Sequence, residues 1–374
     1  MDIEIRKLKE PYHYSQVAHL LKEIYYKEYG EEGTLIWDDK YTEFYFDANV
    51  NKGISKNFAF GAFKGKKLIG TLFGHWDLIE IENEQLEMLH LGLMTVKPEY
   101  RGQGIAKEML NQLIEQARKR KIDSIIAFPQ KNRYGDKLLK DHFDFKNYGK
   151  TKHYLKLMGD EGLKAVRAQY NIVAAKIATL FSHIPNLEDP EGVLRLGKSE
   201  DLEKAVALIN SYSQRVPLAT IYTKEGFQHT IREFDSLKDR FGAPWGHQWF
   251  ILERDSELYA TVCCRVEKIV YTTKQDLFEE IYAALFTSLA FHETMDLDEK
   301  KQFLSYILRK IRAELPEVSC TQITTHQHET KVFKKLRFVD DRNSYYLYMK
   351  PLSKRGEILN QYIKFKEYYL EYYR

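Results

Sequence analysis

Cysteine is scarce in this sequence of 374 residues, and other features that define whole classes of protein are missing as well. The three cysteines, Cys263, Cys264 and Cys320, have neither the number nor the spacing of a disulfide framework or a zinc site. The sequence has no run of about 18 uncharged apolar residues and no apolar N-terminal segment, so it indicates neither a membrane span nor a signal peptide. These absences predict a cytoplasmic protein with reduced thiols, no metal and no membrane partner.

Charge of one sign is also lacking, since 57 Lys and Arg residues against 54 Asp and Glu residues give a net charge of +3. No basic block stands out, which argues against a nucleic-acid partner. Hydrophobic residues make up 44% of the chain, enough for more than one core. The length exceeds what one core usually supports, so two domains are expected.

What the sequence does contain is a glycine-bearing segment at 94–106, M-T-V-K-P-E-Y-R-G-Q-G-I-A. The apolar stretch before it predicts a buried strand, and the K-E-M-L-N-Q-L-I-E-Q-A-R-K stretch after it predicts a helix. Gly102 and Gly104 permit a tight turn and leave the backbone open, so that amides at the helix start can face an anion. Arg101 and Lys107 add positive charge. The segment fits neither the Walker nor the dinucleotide spacing, and predicts a phosphate cradle that needs no metal.

This segment resembles the acyl-CoA signature of the GNAT superfamily of N-acetyltransferases, [QR]-x-x-G-x-[GA], which Arg101, Gly104 and Ala106 fill. The resemblance implies that the loop amides hold the pyrophosphate of acetyl-CoA, and that main-chain groups of the preceding strand pair with its pantetheine arm. Asn132 matches the Asn of the family's N-x-x-A-x-x-x-Y helix. The residues predicted to bind acetyl-CoA are Met94, Thr95, Val96, Arg101, Gly102, Gln103, Gly104, Ile105, Ala106, Lys107 and Asn132.

The same resemblance indicates candidates for catalysis. In several family members the base lies six residues before the final Val or Ile of the strand, which is His90 here. A histidine with an unperturbed pKa of about 6.5 suits proton removal from an amine at neutral pH. The predicted catalytic residues are His90 and Glu87, with Glu84 and His75 as competitors. The usual tyrosine acid is missing, because Leu139 or Lys140 stands at its position.

The chain as a whole is predicted to be α/β (α+β), with two tandem acyl-CoA N-acyltransferase-like domains. Each would be a mixed, mostly antiparallel sheet flanked by helices. Residues 190–352 repeat the pattern of residues 1–158 at an offset of about 190 residues. In place of the glycine loop the second copy has M-D-L-D-E-K-K-Q-F-L, whose carboxylates would repel a pyrophosphate. We therefore expect a GNAT domain at 1–158 and a degenerate copy at 190–352.

The remaining two segments are predicted to be helical. Apolar residues spaced along 161–184 indicate one long connector helix within 159–189. Residues 353–374 end in I-K-F-K-E-Y-Y-L-E-Y-Y-R, an aromatic helix expected to pack against a domain or a second subunit of a homo-oligomer. A sharper hypothesis is that this end of the chain lines the acceptor pocket of the first domain.

The acceptor is expected to be a primary amine of a small molecule or peptide. Aromatic residues and carboxylates alternate at 25–47, which suits a cationic amine, but the same pattern also fits an aromatic core under a solvated face. The first domain would transfer acetyl by direct attack within a ternary complex. The alternative, which the missing tyrosine leaves open, is a non-catalytic acyl-CoA sensor or scaffold.

Overall fold

A computed structural model of the chain describes residues 2–9, 13–31, 33–50, 58–169, 172–228, 231, 247–325, 329–362, 364–365 and 367–370. Strands of this part form one 14-stranded sheet with helices packed on it. The strands are β1 (Ile3–Lys7), β2 (Thr34–Leu35), β3 (Ala59–Lys64), β4 (Lys67–Ile81), β5 (Glu84–Val96), β6 (Ser124–Ala127), β7 (Lys146–Leu157), β8 (Val193–Leu196), β9 (Leu218–Thr220), β10 (His247–Arg254), β11 (Glu257–Thr272), β12 (Phe278–Phe291), β13 (Val318–Thr325) and β14 (Val339–Pro351).

The helices fall between these strands in the order that the sequence pattern predicts. They are α1 (Tyr14–Tyr29), α2 (Asp39–Val50), α3 (Ile105–Lys119), α4 (Tyr134–Phe143), α5 (Gly159–Gln169), α6 (Ile172–Ser182), α7 (Leu202–Ser213), α8 (Leu297–Glu314) and α9 (Thr330–Lys335). Helix α3 shows why they form: its apolar residues recur at helical spacing and are buried together, at about 1.5 to 3 kcal/mol for each large side chain. They are Ile105, Met109, Leu110, Leu113, Ile114 and Ala117.

The long path through the sheet runs β1-β3-β4-β5-β6-β14-β7-β13-β12-β11-β10-β8, and β2 and β9 pair off this path with β11 and β4. Two neighbouring pairs are parallel, β5 with β6 and β12 with β13, and the others are antiparallel. Equivalent strands of the two repeats follow one another in the same order from either end of the path. This is the arrangement that a tandem repeat produces. The predicted fold class, a mixed and mostly antiparallel sheet flanked by helices, is confirmed.

The last strand of each repeat lies in the other half of the sheet. β14, from the second repeat, pairs with β6, whereas β7, from the first, pairs with β13. The two exchanged strands also pair with each other at the centre. Each spatial half of the sheet therefore contains one strand from the other of the two predicted ranges, 1–158 and 190–352.

Alternate residues of β3 and β4 enter two different cores, so the first half of the sheet is covered on both faces. Phe60 and Ile69 pack under α3, whereas Phe63 and Leu68 pack under α1 and α2. Because side chains alternate between faces along a strand, helices are needed on each side. Helix α1 also contacts β11, which joins the two halves above the sheet.

The connector consists of α5 and α6, which lie on either side of residues 170–171, outside the described part. Both segments are helical, and the predicted continuity of one long helix between them falls on residues that lie outside the described part. The end of α6 is fixed to the exchanged strand β7 by Lys156, whose Nζ donates to the carbonyl oxygens of Phe181 at 2.9 Å and His183 at 3.0 Å.

The prediction of an aromatic α-helix at 353–374 is wrong for the residues that the structure describes. A short 3-10 turn covers Gly356–Gln361, and the described residues beyond it are not helical. The Tyr369 amide donates to the Leu218 carbonyl at 2.8 Å, and the Tyr369 carbonyl accepts from Thr220 at 2.7 Å. Pairing with β9 satisfies the backbone groups of Tyr369 that a helix would have satisfied internally. The side chains of Phe365 and Tyr368 are buried in one core and that of Tyr369 in another, as the packing hypothesis expected.

Candidate active site

A bulge in β5 bends the strand where it separates from its parallel neighbour. The pairing of β5 with β6 ends at Leu91 opposite Ala127. On the other side, against β4, Leu93 and Met94 together face Leu72, and Leu93 has a φ of +46°. A bulge takes one residue out of the ladder and re-aims the strand. Backbone groups at 93–94 therefore lie at the mouth of the gap between β5 and β6.

The glycine loop after β5 is open to an incoming group. Gly102 and Gly104 both have a φ of +79°, and a Cβ added to either would meet no atom within 4 Å. Gly104 is the N-cap of α3, and no side chain caps the amides of the first turn there. Such amides and the positive end of the helix dipole favour an anion. The loop has the shape that a phosphate cradle requires.

Arg101 supports this loop from within. Its Nε donates to the Val96 carbonyl at 2.9 Å, and its guanidinium pairs with Glu28 of α1. These contacts fix the loop to α1; contact of Arg101 with the pyrophosphate stays a prediction. At the start of α3, the side chains of Gln103 and Lys107 are exposed, that of Ala106 is half-buried and that of Ile105 is buried.

The remaining residues predicted to bind acetyl-CoA differ in their surroundings. Met94 lines a cavity beside β5, and Thr95 is buried opposite Thr71 of β4. Asn132 is exposed, and its amide donates to Asp136 at 2.8 Å. Helix α4 begins at Tyr134 with Arg133 as its N-cap, so Asn132 precedes the helix.

A cavity of about 280 Å³ opens from the gap between β5 and β6 and reaches into the second half of the sheet. Its wall is largely apolar and aromatic with a few polar groups, the pattern typical of small-molecule sites. The lining residues include Tyr45, His75, His90 and Met94 from the first repeat, and Arg265, Leu285 and Ser288 from the second. The site is therefore built by both repeats.

Three polar side chains share the wall beside the bulge: His75, His90 and Tyr45. The two histidines are directly opposite each other in the antiparallel pair of β4 and β5, which places both on one face of the sheet. The Tyr45 hydroxyl lies 2.5 Å from His75 Nε2. His90 is 8% exposed, and its ring meets that of Phe128 edge-on at 5.2 Å. This wall therefore holds two imidazoles, the side chain that most often serves as a general acid or base in enzymes.

Glu87 lies on the other face of β5. Residues 87 and 90 differ by an odd number along the strand, so their side chains point to opposite faces. The Glu87 carboxylate accepts from the Trp76 indole at 3.3 Å, and Glu84 is exposed at the start of the strand. Neither carboxylate lines the cavity. The structure thus separates Glu87 from His90, with which the sequence grouped it.

Leu139 and Lys140 are the two residues predicted to stand where the family's tyrosine was expected. Leu139 is buried and lines the cavity, whereas Lys140 is exposed. The face of α4 next to the gap therefore offers a hydrocarbon side chain at this point.

The aromatic and acidic residues at 25–47 divide into two sets. Aromatic rings line the cavity, among them Trp37 and Tyr45. Two of the carboxylates bond to the protein instead, since Asp38 accepts from the Tyr41 amide at 2.7 Å and Asp39 accepts from the Ser15 hydroxyl at 2.5 Å. The aromatic half of the predicted amine site is thus at the cavity, and these carboxylates are used to fix α2.

The second repeat has the bulge but a closed loop. Ser288 has a φ of +49°, and Ser288 with Leu289 faces Val262 as Leu93 and Met94 face Leu72. At the start of α8, however, the Asp296 side chain accepts from the amides of Asp298 and Glu299. These amides are already bonded and a carboxylate lies over them, so a pyrophosphate would be excluded there.

The end of the described chain reaches the cavity. Tyr369 lines it, and the Tyr369 ring packs edge-on against Tyr212 at 6.0 Å. This supports the hypothesis that the chain end borders the pocket, and its part in acceptor binding stays a prediction. Among the described residues, no group of three or more His, Cys, Asp or Glu is arranged to hold a metal ion. Within that same part of the chain, no helix combines the length and apolar character of a membrane span.

Comparison with known proteins agrees with the resemblance in the sequence. Residues 4–137 match the family model of the acetyltransferase (GNAT) domain. Two crystal structures of Saccharomyces cerevisiae N-myristoyltransferase with bound myristoyl-CoA, one of them also with inhibitors, superpose with a TM-score of 0.73 at 15% identity. The alignments cover 93% of this chain and 78% and 80% of those chains. A third structure of that enzyme gives 0.67 at 13% identity, covering 93% and 82%.

A search of curated proteins finds no match. The predicted resemblance to the GNAT superfamily is nevertheless confirmed over residues 4–137, which match that domain model, and the fold of the chain is similar to that of the N-myristoyltransferase structures over 93% of its length. Sequence reasoning found the glycine loop and both histidines but missed Tyr45. Only the placement of α2 over β4 brings that hydroxyl to His75, and no local pattern signals it.

Proposed function

We propose that this chain, with a GNAT domain in its first half and a second half of the same fold, is an acyl-CoA-dependent N-acyltransferase. The observation that supports this most is the order of three features along β5 and the loop that follows it. The histidine wall and the bulge line one cavity, and the open glycine loop follows the same strand before α3. An acyl-CoA with its pyrophosphate at Gly102 and Gly104 would reach the bulge with its thioester.

The residues supply most of what acyl transfer needs. Backbone amides at 93–94 are placed to donate to the developing oxyanion of the tetrahedral intermediate. A histidine of the wall, His90 or His75, would take the proton of the attacking amine. The leaving group is a thiol with a pKa of about 8.5, which departs as a thiolate without a strong acid. A direct attack in a ternary complex fits a cavity that admits both substrates.

We propose acetyl as the acyl group, so that acetyl-CoA is the co-substrate. The structures used in the comparison contain myristoyl-CoA, so chain length has to be decided for this protein by itself. The volume of the cavity, about 280 Å³, lies just below the range of about 300–1,000 Å³ that is usual for ligand pockets. The cavity must hold the acyl group and the amine together, which leaves little space for a long chain.

The test measures release of free CoA from acetyl-, octanoyl- and myristoyl-CoA with a panel of small amines and short peptides. Steady release with an amine, and none without it, would establish N-acyl transfer. Faster turnover with acetyl-CoA would support the short chain, and faster turnover with myristoyl-CoA would reject it. Mass spectrometry of the product then identifies the acylated nitrogen.

A second candidate function is a sensor or scaffold that binds acyl-CoA without turnover. The observation that favours it is Leu139, which leaves the usual acid position apolar. Calorimetry distinguishes the two functions when combined with the release assay. Micromolar acetyl-CoA binding without CoA release from any amine on the panel would reject the enzyme and support the sensor.

The acceptor is proposed to be a primary amine on a small molecule or peptide. The rings of Trp37 and Tyr45 offer faces for an ammonium group, which supports a cationic substrate. Among the described residues that line the cavity, Glu329 supplies a carboxylate, and it also pairs with Lys300. A preference for diamines over monoamines of equal length in the release assay would support the cationic acceptor, and equal rates would reject it.

A further inference from the structure

Tyr45 is held against His75 by two contacts with the imidazole and two with neighbouring aromatic rings. Its hydroxyl lies 2.5 Å from His75 Nε2, and the two rings meet edge-on at 4.9 Å. Trp37 and Phe73 pack edge-on against the Tyr45 ring at 5.5 and 5.8 Å. A phenol with aromatic neighbours on two sides keeps one orientation, so the hydrogen bond to the imidazole is fixed.

This pair also lies directly over the backbone of the bulge. A Cβ added to Gly92 would be 3.2 Å from the Tyr45 hydroxyl and 3.8 Å from His75 Nε2. Gly92 immediately precedes Leu93, where the bulge begins. The glycine therefore leaves the hydroxyl close to the point at which an acyl carbonyl would meet the amides at 93–94. Tyr45 thus stands between His75 and the reacting atoms.

We propose that Tyr45 and His75 form a proton relay that accepts the proton of the attacking amine. The proposal rests on the proposed N-acyltransferase function and names the groups that act in it. As the nitrogen bonds to the acyl carbon, the amine proton passes to the Tyr45 oxygen while the Tyr45 proton passes to His75 Nε2. The C–S bond breaks, and the sulfur keeps the electron pair as a thiolate. The products are the amide, the CoA thiolate and a protonated His75.

Comparison with the second repeat favours His75 as part of the working half. The strand register places Arg265 of β11 where β4 has His75, because Arg265 is opposite Leu285 as His75 is opposite His90. An arginine cannot give up its proton in a protein and so cannot serve as a base. The half with the closed loop thus lacks the base at this position, and the half with the open loop has it.

The experiment compares kcat/KM for acyl transfer in His75→Ala and Tyr45→Phe with the unchanged protein. Tyr41→Phe is the matched control, because Tyr41 is a buried tyrosine on the same helix that does not line the cavity. We expect kcat/KM to fall about 10²- to 10⁴-fold in each of the two relay variants. In the double variant, kcat/KM should fall no further than in the less active of the two single variants. The affinity for acyl-CoA, measured by calorimetry, should stay unchanged.

Chemical rescue separates a relay from a structural role. Added imidazole should restore activity to His75→Ala, because it can occupy the emptied space and accept the proton from Tyr45. It should not restore His75→Ala combined with Tyr45→Phe. His90→Ala serves as the comparison, and rescue is not expected for it. Tyr45→Phe keeps the ring and its packing, so it remains informative even where His75→Ala fails to fold.

Three outcomes are decisive. Wild-type-like kcat/KM in His75→Ala or Tyr45→Phe, with turnover by the unchanged protein, would overturn the relay alone. A loss of activity in His75→Ala that imidazole does not repair would overturn it too. Acyl-CoA binding without CoA release by the unchanged protein would overturn the proposed function, and the relay with it.

Discussion

The two halves of the sheet share strand order, parallel pair and bulge, and differ most at one helix start. In the first half, residues 97–104 separate β5 from α3 and include two glycines in the left-handed region. In the second, residues 292–296 separate β12 from α8, and Asp296 bonds the amides that would face a ligand. A duplicated domain can thus lose an anion site by closing one helix N-terminus while its fold stays intact.

The cavity wall shows the same division. His75 and His90 of the first half correspond to Arg265 and Leu285 of the second, by strand register. A pair that can exchange protons is replaced by a permanent charge and a hydrocarbon. Both pairs line the same cavity, so the second half still contributes its wall. The comparison predicts that acyl-CoA binding depends on the first half alone and that the second half contributes stability and shape.

The largest expected effect is on the glycine loop. Gly104→Glu should abolish acyl-CoA binding, because a carboxylate about 4 Å from a phosphate charge costs about 4 kcal/mol at an effective dielectric constant of 20, which is about 10³-fold in affinity. Calorimetry with acetyl-CoA measures it. Gly104→Asn is the control, since asparagine tolerates the left-handed region and carries no charge. Retained micromolar binding by a folded Gly104→Glu protein would remove the cradle from the first half.

A second test concerns charge in the two strands β4 and β11. Arg265 Nε lies 2.7 Å from Glu267 Oε1, and both side chains are buried. Glu267→Ala leaves a buried guanidinium without this partner and should lower the free energy of unfolding by about 3 kcal/mol in urea titrations. Asp77 is its counterpart in β4 and is half-buried. Asp77→Ala should cost about 1 kcal/mol or less, and equal losses would contradict the assignment of structural charge to the second half.

The sequence carries enough information for the loops and too little for the centre of the sheet. Glycine and aspartate act within a few residues, so the open and the closed helix starts could be predicted from local pattern. The exchange of β7 and β14 could not, because both strands present the same pattern, Tyr154-Leu155-Lys156 and Tyr348-Met349-Lys350. Nothing local says which neighbour each strand joins.

The remaining differences have the same origin in contacts that are distant along the chain. The aromatic end of the chain has residues at spacings that suit a helix, but pairing with β9 makes it extended. Glu87 and His90 are close in sequence, yet strand alternation separates their side chains. Tyr45 joins the site through the packing of α2. Each of these depends on a partner that local periodicity does not identify.

The exchanged strands give a prediction for pH. Lys156 of β7 and Lys350 of β14 hold equivalent places, and burial lowers the pKa of both, that of Lys156 to about 8. The unfolded chain therefore holds more protons than the folded one between about pH 8 and 10.5, so stability rises with pH there. Between about pH 8 and 9.5, the free energy of unfolding should rise by about 2 kcal/mol more in the unchanged protein than in Lys156→Met.

Lys350→Met is the matched control for that experiment. Lys350 is less buried and donates to the Phe143 carbonyl at 2.8 Å. Lys350→Met should therefore change the pH dependence of the free energy of unfolding less than Lys156→Met does. The same pH slope in the unchanged protein and Lys156→Met would show that Lys156 keeps its proton in the folded state, and that the exchanged strands do not differ in this respect.

The smallest expected effect is at the closed helix start of the second half. Asp296→Ala removes the side chain that accepts from the amides of Asp298 and Glu299, which should cost about 1 kcal/mol of unfolding free energy. Acyl-CoA affinity should not change, because the loop still lacks the glycines that open the backbone of the first half. A second equivalent of bound acyl-CoA in calorimetry would contradict this. It would mean that the Asp296 side chain alone, and not the shorter loop without glycine, excludes the ligand from the second half.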